Sequence, residues 1–413
     1  MHHIRTAAAL VDRLRRSFAF GLRPSDRRAK PDGLLTCPAR PGRLFGAAAA
    51  LLAVLCAVLL VHGTAGAQKP KYKVYLSMSY IGNDWQAEAQ KMVSAMAASS
   101  TFKDKVDLQI QVAGANPQRQ IQQINSMVQA GANAIVVYPI SPTALNAAVR
   151  NACDQKVVVI AYDAEITEPC AYNVTIDQDQ AGRTIAQWLA DTLHGKGNIV
   201  MVTGVPGTSV DTKRTAAAKD VFAKYPGIKI IAEASGMWSQ PIAREKLSQI
   251  LATHGWDQID GLWMQVGCYT AARMQMEAGI ADDKIRPCAG EASNGHRVMM
   301  LPKGAVQGPD KFYRAFGYRS ISYGSPPYSG GLALATAVAI LDGKTVAKHT
   351  TLPLPLAETG KMKLCKTGSW SEMKNGCNVF NPALVPPGWF SDIYGPQTPQ
   401  LGLQAALNAK PEP

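Results

Sequence analysis

The sequence predicts an α/β protein built as two lobes with parallel sheets, and three observations carry that prediction. Strand-like apolar runs alternate with helical patterns at 73–79, 106–112, 134–138, 157–162, 198–203, 228–233, 259–265, 286–290 and 312–318. Alternation on this scale produces βαβ units with right-handed crossovers. Runs such as 157–161 in "KVVVIAYDAEI" (156–166) are apolar at every position, which suits a parallel strand covered on both faces. The strands also outnumber those of one ordinary sheet, and the rhythm breaks after about residue 176, at "YNVTIDQDQAG", before a second series begins.

Taken in order, the chain opens on a basic stretch and then an apolar one, "LFGAAAALLAVLCAVLLVHGTAGA" at 44–67, which ends in a small-x-small pattern. That ending predicts an export signal over residues 1–67, cleaved after Ala67. Retention as a membrane anchor is the alternative, since Leu44–Val61 is about long enough to span a bilayer. The length and charge of residues 1–43 suggest a start codon further in, and "RRSFAF" at 15–20 lies too far from the apolar run to read as a twin-arginine signal. Ten of the 43 Lys+Arg and three of the 30 Asp+Glu fall in residues 1–67, which leaves a net charge of about +6 on the remainder. The high overall charge therefore belongs to the segment expected to be removed, and a nucleic-acid partner is not expected.

Helical spacing places Ile121, Ile124 and Val128 on one face of 117–131, and Ala181, Ile185, Trp188 and Leu189 on one face of 179–194. From 361 the pattern stops. "KLCKTGSWSEMKNGCNVFNPALVPPGWFSDIYGPQTP" is rich in Gly, Pro and aromatic residues and predicts an irregular appendage packed on the body. Of eight cysteines, Cys37 and Cys56 lie in the export segment. The other six allow fifteen pairings. Proximity favours Cys153 with Cys170, Cys268 with Cys288, and Cys365 with Cys377.

In open doubly wound sheets the ligand crevice lies beyond the carboxyl ends of the strands. Residues just past the expected strands are Asn83, Asp84 and Trp85, then Asn116, Asp163, the "GVPGTSVDTKR" loop that leads to Arg214, Trp238, Gln265, and finally Glu291 with Asn294. The mixture suits a neutral polyhydroxylated ligand: carboxylates and amides bond hydroxyls, and indole faces stack on C–H-rich surfaces. Plainer readings stand beside these: a cap for Asp163, a solvated helix charge for Arg214, packing for Trp85 and Trp238, a helix-dipole partner for Glu291. Their shared position at strand ends favours binding.

Catalytic patterns are missing from the sequence. "GVPGTS" at 204–209 lacks the lysine of a phosphate loop, His194, His254, His296 and His349 stand apart without metal-ligand spacing, and no G-x-S-x-G elbow occurs. Asp163 and Glu291 form a glycosidase pair only if their separation is right, which the sequence does not fix. No cofactor or metal is expected, and binding without turnover is the simpler expectation.

In order, "VYLSMSYIGNDWQAEAQKMV", "QIQQINSMVQAGANAIVVYPISPTAL", "VVVIAYDAEI", "TIDQDQAGRTIAQWL", "IVMVTGVPGTSVDTKRTAAAKDVF" and "RSISYGSPPYSGGLALATAVAILDGKTV" cover most of the chain after the export segment. Through them, about Lys73 to Pro355 resembles the type I periplasmic sugar-binding proteins of ABC importers. The resemblance implies a three-crossing hinge between an N-terminal lobe (71–176 plus 323–345) and a C-terminal lobe (177–322 plus 346–360), followed by the appendage at 361–413. It implies a monomer in the periplasm that closes over a sugar or polyol and is recognised by the transmembrane permease. Asn83 and Trp85 would come from the first lobe, Asp163 would take sugar hydroxyls, Arg214 would be the guanidinium of the second lobe, and Trp238 would stack. Glu291 stands where the family usually has Asp, and "QVGCY" leaves Gln265 as the only obvious polar group at a position where relatives often carry Asn-Asp. The aromatic pair usual after the first strand is reduced to Trp85 followed by Gln86. A sugar-sensing receptor for a chemoreceptor or sensor kinase is the alternative function, an enzyme on this scaffold a weaker one. A repressor of the lactose family is disfavoured by an apolar segment where a helix-turn-helix would lie.

Overall fold

The structure is a computed structural model and describes residues 70–412. The expected export segment, its cleavage point and Cys37 and Cys56 lie outside the described residues.

The first lobe begins β1 (Tyr72–Met78), α1 (Asp84–Ala98), β2 (Val106–Val112), α2 (Pro117–Gln129), β3 (Ala134–Tyr138), α3 (Asn146–Asp154), β4 (Val158–Tyr162) and β5 (Tyr172–Thr175). The second continues α4 (Gln178–Thr192), β6 (Lys196–Thr203), α5 (Ser209–Phe222), β7 (Gly227–Ser235), α6 (Gln240–Leu251), β8 (Gly261–Met264), α7 (Cys268–Glu277), β9 (Cys288–Glu291), α8 (Asn294–Met300) and β10 (Ser320–Tyr323). The chain then returns to the first lobe for α9 (Ser329–Leu341) and β11 (His349–Thr351), and crosses again for β12 (Leu356–Glu358). Sheet orders are β11-β5-β4-β3-β1-β2 and β12-β10-β9-β8-β6-β7. Every pairing in them is parallel except that of β10 with β12.

Alternation along each strand explains the layers. In the first lobe Val74, Leu76 and Met78 point to the side of Met92 and Met96 of α1, while Tyr75, Ile135, Val137 and Val159 point to Ile124 and Met127 of α2 and Val149 of α3. In the second, Met201 and Trp263 share a core with Leu189 of α4 and Phe222 of α5, and Val202 and Met264 face Ala243 and Leu247 of α6. Helices thus cover both faces of both sheets, the arrangement that all-apolar parallel strands require. Both sheets reverse direction beside their first strand, β1 or β6, so two switch-point crevices face one another.

Three expectations change. The strand expected at 312–318 is a loop, and the strand is β10 at Ser320–Tyr323. The apolar residues of that run, Tyr313, Phe316 and Tyr318, are buried, but the amides of Phe316 and Tyr318 both bond to the Met299 carbonyl, and Gly317 at φ +76° breaks the extended run. His349–Thr351, expected in the C-terminal lobe as part of 346–360, pairs in parallel with β5 in the first sheet. Finally, the appendage contains order: β13 (Leu364–Cys365) pairs with β14 (Val379–Phe380), with α10 (Trp370–Lys374) between them and α11 (Leu403–Asn408) near the end. All three disulfides favoured by proximity are formed: Cys153–Cys170, Cys268–Cys288 and Cys365–Cys377.

Candidate functional site

All seven expected site residues line one cavity, which holds about 400 Å³ of empty space counting its mouth. Asn83 and Trp85 follow β1. Asn83 caps α1, its side-chain oxygen accepting the Gln86 amide at 2.8 Å, so it occupies the mouth by virtue of ending the strand and starting the helix. Trp85 is fixed on two sides. Its indole N–H donates to the Ser325 carbonyl at 2.7 Å, and its ring lies 5.7 Å from that of Tyr138 and 6.4 Å from that of Tyr162. The aromatic end of "KVVVIAYDAEI" therefore backs Trp85, while Tyr138, at the end of β3, reaches the cavity itself.

Asp163 follows β4 with φ +58°, a conformation sparsely used by residues with a Cβ. Its amide donates to the Val174 carbonyl at 2.8 Å and its carbonyl accepts from the Thr175 hydroxyl at 2.6 Å, so β5 holds the turn. Its carboxylate accepts from Gln178 Nε2 at 3.1 Å. Burial pushes the Asp163 carboxyl up from the ordinary carboxylate range, against the pull of the Arg214 charge and the Gln178 bond.

Arg214 comes from α5 of the second lobe. Nε donates to Gln178 Oε1 at 2.8 Å, Nη2 donates to Ser325 Oγ at 2.7 Å, and the guanidinium lies 4.8 Å from the centre of the Tyr323 ring. These bonds use two of five N–H donors. Ser325, in the crossing after β10, thus receives Trp85 on its carbonyl and Arg214 on its hydroxyl, tying one residue from each lobe to the hinge. The lobes also meet directly, through Lys213 and Glu165 at 2.6 Å and the Ser209 hydroxyl accepting the Glu165 amide at 2.9 Å.

Trp238 follows β7 at φ +51°. Its indole passes so close to Gly204 that a Cβ there would stand 2.1 Å from Nε1, so only glycine fits. That N–H donates to Gln265 Oε1 at 2.8 Å, and Gln265 Nε2 donates to Asp211 Oδ1 at 2.8 Å and Thr215 Oγ1 at 2.9 Å. Gln265 lines the cavity, yet both its polar atoms are engaged within the second lobe, so its geometry is that of a residue orienting Trp238. Glu291, the last residue of β9, accepts from the Gly267 amide at 3.2 Å and from Gln240 Nε2 at 3.3 Å. Burial pushes its carboxyl up to about 8, so near neutral pH it is an uncharged acid able to donate.

Three other strand-end residues do different work. Asn116 caps α2 through the Arg119 amide, Asp84 starts α1 outside the cavity lining, and Asn294 holds the C-terminal segment through the Phe380 amide and carbonyl. Conversely, the cavity is lined by residues that strand-end reading did not select. Gln86 is fully buried, and neither its carboxamide oxygen nor its nitrogen has a partner in the protein. Tyr323 and Ser325 come from the end of β10 and the crossing beyond it, and Phe390 arrives from the C-terminal segment.

Two doubly wound lobes, three hinge crossings and one polar and aromatic cavity between facing switch points define a two-lobed, cleft-binding α/β protein. Residues 74–345 match the model of the periplasmic binding protein domain, and the chain belongs to that family. It is 35% identical over 147 residues to the xylitol-binding protein of Mycolicibacterium smegmatis, a match covering 35% of this chain and 42% of that protein. It is 25% identical over 183 residues to a galactofuranose-binding protein of Escherichia coli, covering 43% and 56%. The chain thus spans about half the length of these relatives. An ABC transporter solute binding protein from Thermobispora bispora superposes with a TM-score of 0.60 at 25% identity, covering 70% of this chain and 86% of that one.

Proposed function

We propose that this protein is an extracytoplasmic solute receptor of an ABC transporter that binds a small neutral sugar or polyol between its lobes. The gathering of Asn83, Trp85, Asp163, Arg214, Trp238, Gln265 and Glu291 around one cavity is the observation that carries the reading. Charge narrows the ligand class. Glu291 is neutral at pH 7, and the other carboxyl and the guanidinium among the lining residues, Asp163 and Arg214, offer one group of each sign, so a charged solute would bring an uncompensated charge into a buried site. Asp163 and the free Gln86 oxygen accept from hydroxyls; the remaining Arg214 N–H groups, the Glu291 proton and the Gln86 nitrogen donate to them. The indole of Trp238 and the rings of Trp85 and Tyr138 supply faces for C–H groups.

The xylitol- and galactofuranose-binding names of the two relatives support this class of cargo. In this reading the monomeric protein works in the periplasm, transforms nothing, and offers its closed form to a permease, with ligand shifting the lobe equilibrium by its preference for that form. A thermal-shift panel of xylitol, D-ribose, D-xylose and myo-inositol, with a sugar acid as charged control, tests it. At about 100 times Kd a ligand adds about 2.7 kcal/mol of stability. A shift with a neutral compound and none with the acid is expected; a shift with the acid alone would overturn the neutral-ligand reading.

A further inference from the structure

The C-terminal segment belongs to both lobes. Residues 387–392 lie against the start of α8 in the second lobe. The amides of Asn294 and Gly295 donate to the carbonyls of Trp389 and Pro387 at 2.5 and 2.8 Å, and the Ser391 amide donates to the Ala292 carbonyl at 3.2 Å. Asp392 closes the stretch with two bonds of 2.8 Å to Arg297. The same residues touch α1 of the first lobe. The Phe390 amide donates to Glu88 Oε1 at 2.7 Å, the Lys91 ammonium sits 4.5 Å from the centre of the Trp389 ring, and Gly388 passes so near Asp84 that a Cβ would stand 1.8 Å from its carboxylate. Beyond Asp392 the chain crosses to the first lobe, where α11 packs on α1 and the Leu407 carbonyl accepts Lys91 Nζ at 2.9 Å.

Glu88 stands out among these contacts. It is fully buried one turn after Trp85, its second carboxylate oxygen has no partner in the protein, and its one bond is to a backbone amide of a segment anchored on the other lobe. A buried carboxylate is costly unless bonded, so parting the lobes must either break that bond or strip residues 387–392 from the second lobe. The three backbone bonds and the buried ion pair on the second lobe outweigh the one hydrogen bond and the Lys91–Trp389 contact on the first. The segment therefore travels with the second lobe, and Phe390, whose side chain lines the cavity, leaves the first lobe's wall as it does so.

We propose that residues 387–392 form a lip of the second lobe that seals the ligand cavity with Phe390, and that Glu88 is the positioning residue that latches the lip when the lobes close. The ligand-dependent half of this inference rests on the sugar-binding reading above; the latch itself does not.

The test uses Glu88→Leu, which removes the acceptor, Glu88→Gln, which keeps it, and Phe390→Ala, which removes the ring and leaves the amide. Hydrogen–deuterium exchange of a peptide spanning 386–393 is followed without ligand and with xylitol, alongside xylitol dissociation rates. Expected are faster exchange at Phe390 in Glu88→Leu, exchange close to the parent in Glu88→Gln, and dissociation faster by about tenfold in Glu88→Leu and in Phe390→Ala, the scale of one buried hydrogen bond or ring contact. Exchange in Glu88→Leu equal to the parent would overturn the latch whether or not xylitol binds. Should Glu88→Leu not fold, a Phe390→Ala chain with unchanged dissociation would overturn the lip. If xylitol does not bind at all, the cargo reading is at fault, and the exchange comparison still decides the latch.

Discussion

Asp392→Ala is the sharpest stability test, because the structure allows its cost to be set against a control. Arg297 and Asp392 are 1% and 9% exposed and joined by two bonds of 2.8 Å. Arg297 also donates to Ser322 Oγ at 2.9 Å and to the Asn378 carbonyl at 2.8 Å, so without Asp392 the guanidinium keeps neutral acceptors but loses its only counter-charge among the described residues. Breaking one side of a buried pair costs about 3–5 kcal/mol. At about 2–4 °C per kcal/mol for chains of this order of size, the melting temperature falls by about 6–20 °C. The exposed pair Lys105–Asp342, 50% and 29% accessible, is the control: solvent screens it, so Lys105→Ala leaves the melting temperature close to the parent's. An Arg297→Met, Asp392→Leu double variant removes both charges and regains most of the loss. Denaturant and thermal melts followed by circular dichroism measure all four. A loss below about 1 kcal/mol for Asp392→Ala, or a double variant no better than the single, would refute the reasoning.

Other outcomes follow from single groups. Glu291 keeps its proton to about pH 8 when folded against 4.5 as an ordinary glutamate, so the folded state binds more protons and stability falls as pH rises between those values. His296, fully buried and lowered to about 4 from 6.5, acts in the opposite sense between about pH 4 and 6.5. The Glu291 contribution is therefore clearest from about pH 6.5 to 8, where melting temperatures should fall and Glu291→Gln should flatten the fall; equal slopes in both proteins would contradict the assignment. Gln86→Leu removes a carboxamide with no protein partner, so it should leave ligand-free stability equal or raised by about 1 kcal/mol and weaken binding; a strongly destabilised variant in chemical denaturation would show that the carboxamide serves the fold. Gln265→Leu strands the Trp238 N–H and removes one donor from Asp211 Oδ1, which keeps the Gly204 amide at 2.6 Å, costing about 1–3 kcal/mol together with affinity, whereas loss of affinity at unchanged stability would mean Gln265 touches ligand directly.

What the sequence revealed follows from the range of each signal. Continuous apolar strands and strand-end polar residues are local features, so the lobes and seven cavity residues could be read from them. Tyr138 carried the same local signal, an aromatic ending an apolar strand as Tyr162 does, and could have been found. Tyr323 and Ser325 were hidden by placing the last strand of the second lobe at 312–318, where buried loop aromatics imitate an apolar strand. Gln86 looked like one more polar residue of a helix, and only burial without a partner distinguishes it. Phe390 lies about three hundred residues from the helix it meets, and nothing in "PPGWF" says which wall it completes.

The central claim is that one neutral sugar or polyol binds between the lobes through Asp163 and Arg214, and calorimetric titration tests it most directly. Xylitol and the other neutral compounds would be titrated into the parent, Asp163→Ala and Arg214→Ala proteins, with circular dichroism to verify that each variant is folded. The account predicts one site per chain for at least one compound and loss of that binding in both folded variants. Binding that survives both substitutions would contradict it.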